Sequence, residues 1–138
     1  MRLFFDNNMA PRLVEVVSKY CLMNGKGIEM VHCRTMFPAN TPDSIWISAL
    51  AEEKDWTIIT RDRRIAHNPD ERRLMRNPHI RFVFLPSEFA CAPIKQQKIL
   101  LSRHIKRLSR ELRNNYHKSN TICINNQWKL STLDRLDV

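Results

Sequence analysis

Glycine is almost missing from this chain: the 138 residues contain two, Gly25 and Gly27. Two glycines cannot make a GxGxxG turn or a Walker loop, so the glycine-rich phosphate cradles are excluded. No GxSxG elbow is present for a serine hydrolase, and the histidines show no HExxH spacing. Cysteine is sparse and scattered, at Cys21, Cys33, Cys91 and Cys123, without a CxxC pair. That argues against a zinc site and for free thiols in a reducing cytoplasm. His32 beside Cys33 does not change this, because neighbours in a strand point to opposite faces. No apolar run is long enough to span a bilayer. The N-terminal Leu3-Phe4-Phe5 meets Asp6 too soon for a signal peptide, so a cytoplasmic location away from membranes is expected. Acidic residues are also short: 14 Asp and Glu face 23 Lys and Arg, for a net charge of +9 and a pI near 9.9. A basic balance of this size points to a polyanionic partner: nucleic acid, an acidic membrane surface or an acidic protein.

With 43% hydrophobic residues the chain is an ordinary globular protein, and its length suits one domain over residues 1–138. The periodicities alternate between strand and helix. Arg2–Phe5 reads as a first strand and Asp6-Asn7-Asn8 as a polar turn. Pro11 then opens a helix with Leu13, Val16, Val17, Tyr20 and Cys21 at helical spacing, stopped by Asn24-Gly25. Ile28–Cys33 is a second strand, and a strand–helix–strand order makes the two parallel. Residues 34–40 read as a loop. Thr41 is expected to be a helix N-cap, with Pro42 at the first helical position and Asp43 in the first turn. Asp43, Ile47 and Leu50 share a face of that helix, so Asp43 tips toward the sheet rather than into open solvent.

The central stretch is Thr57-Ile58-Ile59-Thr60-Arg61-Asp62, a short apolar strand ending on a carboxylate. A basic segment follows, with Arg63, Arg64, Arg72, Arg73 and Arg76, and a short helix starting near Pro69-Asp70 that turns Leu74 and Met75 inward. Ile80–Leu85 is a fourth strand. A longer helix covers Ile94–Asn114, with Leu101, Ile105, Leu108 and Leu112 as its buried stripe. Its remaining faces carry Lys95, Lys98, Arg103, Lys106, Arg107, Arg110 and Arg113. Of these, Lys106, Arg107, Arg110 and Arg113, with Arg72 and Arg73, are candidates for a nucleic-acid or partner surface. Residues 121–130 read as a hairpin turning at Asn125-Asn126, with Trp128 packed on the domain.

Three acids, Asp6, Asp43 and Asp62, fall after strand one, at a helix start and after strand three. All three lie at the same end of one sheet, where ligands of parallel sheets bind. Carboxylates that close repel unless a cation neutralises them, and Mg²⁺ or Mn²⁺ suits such oxygen donors. A metal-activated water and a basic surface together suit phosphodiester hydrolysis.

The segment Leu3-Phe4-Phe5-Asp6-Asn7-Asn8 with Pro11, the Pro42-Asp43 helix start, and Thr57–Asp62 together resemble the landmarks of PIN-like domains, of the toxin–antitoxin kind related to VapC-type toxins. The resemblance spans about residues 1–90; the basic helix and tail, 91–138, lie beyond it. It implies a three-layer α/β/α sandwich around a mainly parallel sheet of four or five strands. It further implies a Mg²⁺ or Mn²⁺ site on Asp6, Asp43 and Asp62, endoribonuclease activity and a cognate antitoxin. RNA and that antitoxin are the expected partners, with room for a homodimer. Thr60 is expected to support the site by hydrogen bonding and Arg61 to contact phosphate, with Asn7 and Arg64 in supporting or substrate-binding places. The chain departs from the pattern at Asn7, where many such domains carry a second acid, and at Arg64, where a further Asp often stands. Both departures favour a rival reading: a non-catalytic nucleic-acid-binding or partner-binding protein on the same fold.

Overall fold

The computed structural model describes residues 1–23, 27–62, 67–115 and 121–132. Its strands are β1 (Arg2–Phe5), β2 (Glu29–His32), β3 (Trp56–Thr60), β4 (Ile80–Phe84), β5 (Thr121–Ile124) and β6 (Leu130–Thr132). They form one sheet in the order β2-β1-β3-β4-β5-β6, parallel except for β6, which returns antiparallel along β5. The described sheet thus has six strands where four or five were expected, because both arms of the C-terminal hairpin join it. The helices are α1 (Pro11–Met23), α2 (Cys33–Met36), α3 (Asp43–Glu53), α4 (Pro69–Met75), α5 (Ser87–Cys91) and α6 (Ile94–Asn114).

Strand alternation sorts the side chains into two cores. Leu3, Phe5, Ile59 and Val83 pack with Leu13, Val17, Leu101 and Ile105 of α1 and α6. Phe4, Ile58 and Phe82 face the other way, onto Trp46, Ile47 and Leu50 of α3 and Met75 of α4. Helices on both faces of a mainly parallel sheet make the expected α/β/α sandwich. The order places β1 between β2 and β3, so the chain leaves β1 in one direction and later returns on its other side. That reversal opens a crevice past the carboxyl ends of β1 and β3.

Local starts and stops differ from the sequence expectation where a side chain found a better partner. Thr41 does not cap α3; its hydroxyl donates to the Pro38 carbonyl at 2.7 Å, closing the preceding turn, and the helix begins at Asp43. The expected 34–40 loop opens with a single helical turn, α2. Its N-cap is His32, whose Nδ1 accepts from the Arg34 N–H at 3.1 Å. With Nδ1 accepting, Nε2 carries the proton and donates to the Met9 carbonyl at 2.7 Å. Burial pushes the His32 pKa down and favours that neutral form. The Asn24-Gly25 stop and Arg63 lie outside the described residues.

The C-terminal third is locked in by polar side chains rather than by turn chemistry alone. Asn126, in the hairpin loop, accepts from the Glu88 N–H at 3.0 Å and the Ser87 hydroxyl at 3.4 Å, and so caps α5 from a distant point in the chain. Trp128 is buried, stacked on His104 with ring centroids 4.2 Å apart and edge-on to Phe89. Arg81 on β4 donates through Nη1 to the Leu112 carbonyl at 2.9 Å, filling an acceptor in the last turn of α6.

Arg107, expected on a nucleic-acid surface, is instead a structural tie. Its Nη1 reaches Glu111 at 3.1 Å and its Nη2 the Trp128 carbonyl at 2.6 Å, joining α6 to the hairpin. Lys106 is likewise engaged, its Nζ 4.7 Å from the centre of the Tyr20 ring on α1. Arg110 and Arg113 remain exposed. Arg107→Gln is therefore expected to lower stability by about 1–3 kcal/mol, the worth of a charged hydrogen bond with a half-buried acceptor. Arg110→Gln should stay within about 0.5 kcal/mol of wild type. Urea denaturation of the two variants checks this; equal stabilities would remove the structural role of Arg107.

Candidate active site

Asp6 follows β1 directly, and β1 pairs with β3 so that Phe5 faces Ile59 and Asp6 donates its N–H to the Ile59 carbonyl. Continuing the alternation, Asp6 and Thr60 fall on the α3 side of the sheet, with Phe4 and Ile58. Both are buried, Asp6 at 4% exposure and Thr60 at 0%. The Thr60 hydroxyl donates to Asp6 Oδ2 at 2.5 Å and accepts from the Asp62 N–H at 3.0 Å. Asp6 Oδ1 accepts from the Asn8 N–H at 3.2 Å. The Asn8 side chain then reaches across the crevice, donating from Nδ2 to Asp62 Oδ2 at 2.9 Å. One hydroxyl and one amide therefore tie the ends of β1 and β3 together.

Asp43 enters from α3. Its Oδ1 accepts from the Trp46 indole N–H at 2.9 Å, one helical turn on. Trp46 is fully buried and its ring lies against Phe4, 5.0 Å between centroids. The core thus holds the indole, and the indole holds the carboxylate. A fourth acid, Glu71 in the first turn of α4, lies near enough to Asp43 for the two to interact electrostatically. The sequence pattern marks only a helix start near Pro69-Asp70, with nothing to single out Glu71. Trp46 and Asn8 were missed as well. Asn8 had one usable signal, its place two residues after the first acid.

These carboxylates feel one another. Burial pushes the Asp6 pKa up to about 6; the Thr60 and Asn8 hydrogen bonds oppose the rise, and the charges of Asp43 and Asp62 add to it. Glu71 is also pushed up to about 6, by burial first and then by Asp43, Asp62 and Asp70. Burial, followed by Asp6 and Asp43, drives the Cys33 thiol to about 11, which leaves it protonated and inert. Oxygen donors alone, crowded and charge-coupled, are chemically matched to Mg²⁺ or Mn²⁺. As placed, however, no three His, Cys, Asp or Glu among the described residues are gathered closely enough to hold an ion. The expectation that Asp6, Asp43 and Asp62 close around one point is not met. Each has an oxygen engaged on a protein donor, namely Thr60, Trp46 or Asn8.

The supporting residues divide. Asn7 Oδ1 is buried with no hydrogen-bond partner among the described residues. Arg61 donates from Nη1 to the Ala90 carbonyl at 3.1 Å, anchoring the end of β3 to α5. Arg64 lies outside the described residues. Arg73 pairs with Asp70 at 3.4 Å on the exposed face of α4, and Arg72 is half-buried on the same helix. The candidate cations of α6 stand far off. This helix starts at Ile94, near Asn7 and Asn8, and ends where Leu112 meets Arg81 at the beginning of β4. It runs against the strands, which puts Arg110 roughly 25 Å along the axis from its first residue.

The raised Asp6 pKa fixes a sign. The group binds its proton more tightly when folded, so its contribution to stability is full below about pH 4 and is lost as pH rises through 6. Asp6→Asn removes that dependence. In the metal-free protein the stability of this variant relative to wild type should increase by on the order of 2–3 kcal/mol between pH 4 and pH 7. Denaturation midpoints of both proteins across this range provide the check, and parallel curves would refute the burial of a strained Asp6.

The first 87 residues, from β1 to the start of α5, match the family model described as a PIN-like domain. No curated protein and no solved structure matches the chain. The matched region contains Asp6, Asp43, Asp62 and Glu71 and more than half of the chain, so the chain belongs to the PIN-like domain family, on a nuclease-type fold.

Proposed function

We propose that this chain is a divalent-metal-dependent endoribonuclease acting as the toxin of a toxin–antitoxin pair. The observation that carries the reading is the cluster of Asp6 and Glu71 with Asp43 and Asp62, whose charges act on both, near the switch point of a parallel sheet in a chain of net charge +9. Asp6, Asp43 and Asp62, joined by Glu71, are the residues that would hold Mg²⁺ or Mn²⁺. When bound, such an ion supplies a polarised water and screens charge developing on phosphorus. Thr60 orients Asp6, Asn8 orients Asp62, and Trp46 orients Asp43, each through one hydrogen bond to a carboxylate oxygen. The excess of cations draws the RNA backbone toward the acidic crevice. A cognate antitoxin is the protein partner of this reading, and the cell interior its setting.

One observation favours the rival. The described acids are not gathered into a ligand group, and Asn7 stands beside Asp6 where an acid would complete it. On that reading the fold binds nucleic acid or a partner without cutting. Incubating purified protein with a mixed RNA pool in Mg²⁺ or Mn²⁺, against EDTA, separates the two. Cleavage that requires the metal is expected. Asp6→Asn, Asp62→Asn and Glu71→Gln should each lower it by at least about 100-fold, since even outer partners of a metal site are worth about 10–100-fold. RNA binding without metal-dependent cleavage would establish the rival.

A further inference from the structure

A second feature opens beside the acids and is not made of them. A cleft of about 350 Å³ is lined by Asn7, Asn8, Arg34, Arg61, Ile94 and Gln97, with Met9, Ala10, Pro11, Ala92 and Pro93 completing its wall. It gathers four segments that are remote in sequence: the β1–α1 turn, the single turn of α2, the chain just past β3 at Arg61, and the start of α6. Asn8 belongs to both places, because the side chain that lines the cleft also donates to Asp62. The cleft and the acidic crevice are therefore adjoining.

Its chemistry differs from that of the acids. Among the described residues the exposed Arg34 side chain has no hydrogen-bond or ion-pair partner; only its backbone is engaged, in the α2 cap. Arg61 uses one guanidinium N–H on Ala90, out of five. Two arginines in one concavity are suited to a phosphate, which they grip through paired N–H groups. Beside them stand amides with capacity to spare. Gln97 is buried and uses Nε2 on the Phe89 carbonyl at 3.1 Å, which leaves its amide oxygen. Asn7 Oδ1, buried at the cleft wall, has no hydrogen-bond partner among the described residues. Primary amides match the donor and acceptor edges of a nucleobase, and Ile94, Pro93 and Ala92 offer an apolar wall for its ring. The α6 helix starts in this wall, and Pro93 gives its first turn no side-chain cap. The volume sits at the low end of the ~300–1,000 Å³ typical of small-molecule sites, room for one unstacked nucleotide and not for a duplex.

We propose that this cleft binds a single unstacked nucleotide of a single-stranded RNA, its phosphate held by Arg34 and Arg61 and its base set against the Asn7 and Gln97 amides. The proposal rests on the ribonuclease reading for its biological sense, and it deepens that reading by assigning where a nucleotide next to the cleaved bond sits. It also gives Arg34, which no sequence pattern singled out, a substrate-positioning role.

The test needs no cleavage and no metal. Calorimetric titration in EDTA compares adenosine, cytidine, guanosine and uridine 3′-monophosphates with inorganic phosphate. At least one nucleotide should bind 10-fold or more tightly than phosphate. Arg34→Gln should weaken it at least 5-fold, and so should Ile94→Glu, which puts a carboxylate on the cleft wall at an exposed position where the fold is not at risk. Lys19→Gln, at an exposed position on α1 outside both the cleft and the acidic crevice, should leave nucleotide affinity within about 2-fold. Nucleotides binding no better than phosphate, or an affinity unmoved by Arg34→Gln and Ile94→Glu, would overturn the proposal. If nucleotides bind as expected but RNA is never cleaved, the cleft stands and the nuclease reading falls. Metal-dependent cleavage with equal kcat/KM in wild type and Arg34→Gln would have the reverse meaning.

Discussion

The Thr60 hydroxyl bridge is the constraint on which the acidic end of this molecule depends. Asp6 is buried where a carboxylate is costly, and it stays there because Thr60 donates to one oxygen and the Asn8 N–H to the other. The same hydroxyl accepts from the backbone of Asp62, so the residue that compensates for the burial of one acid also orients the next. These bonds do not win outright. Asp6 still titrates near 6, because burial and the neighbouring acids outweigh two hydrogen bonds. A site in that balance is stable enough to form and strained enough to take up positive charge.

The strain is localised by the packing around it. Phe4 and Phe5 precede Asp6 on β1 and point into opposite cores, which leaves the strand no freedom to rotate its last residue outward. Trp46 brings Asp43 under the same control, since its ring is buried against Phe4 while its N–H faces the carboxylate. Fully burying so large a ring is worth roughly 3 kcal/mol, about the size of the repulsion between two carboxylates ~6 Å apart at an effective dielectric near 20, so packing is able to hold the charges where they sit. Opposite charge is kept close but apart. Arg34 and Arg61 line the adjoining cleft rather than pairing with the acids, while Arg107 and Lys106 are used up in holding α6 to the hairpin and to α1.

Elements governed by a residue's own preference for core or solvent were legible along the chain. The bounds of α6 at Ile94 and Asn114, the β1, β3 and β4 strands, the hairpin around Asn125-Asn126 and the burial of Trp128 all follow from local pattern. Asp6, Asp43 and Asp62 were legible as candidates for the same reason, Asp6 and Asp62 marking the end of a periodic run and Asp43 the start of one. Features in which one polar group chose among several partners were not. Thr41 looks like an N-cap and instead closes a turn on Pro38. Asn126 looks like a turn residue and also caps α5. Arg107 looks like one more surface cation and is tied at both ends.

The sequence by itself determined an alternating α/β chain with acids after its first and third strands, a basic balance and a long amphipathic helix. Burial is a property of single residues, so periodicity records it without knowledge of the fold. Tertiary structure alone decided which groups meet. Thr60 and Asp6 lie 54 residues apart, as do Asn8 and Asp62, and become neighbours only because the strand order puts β3 beside β1. Glu71 joins Asp43 because α4 packs on α3, and Arg34 shares a cleft with Arg61 because the sheet reverses direction at β1. Pairing of polar groups depends on two positions at once, and topology, which no local pattern encodes, supplies the second.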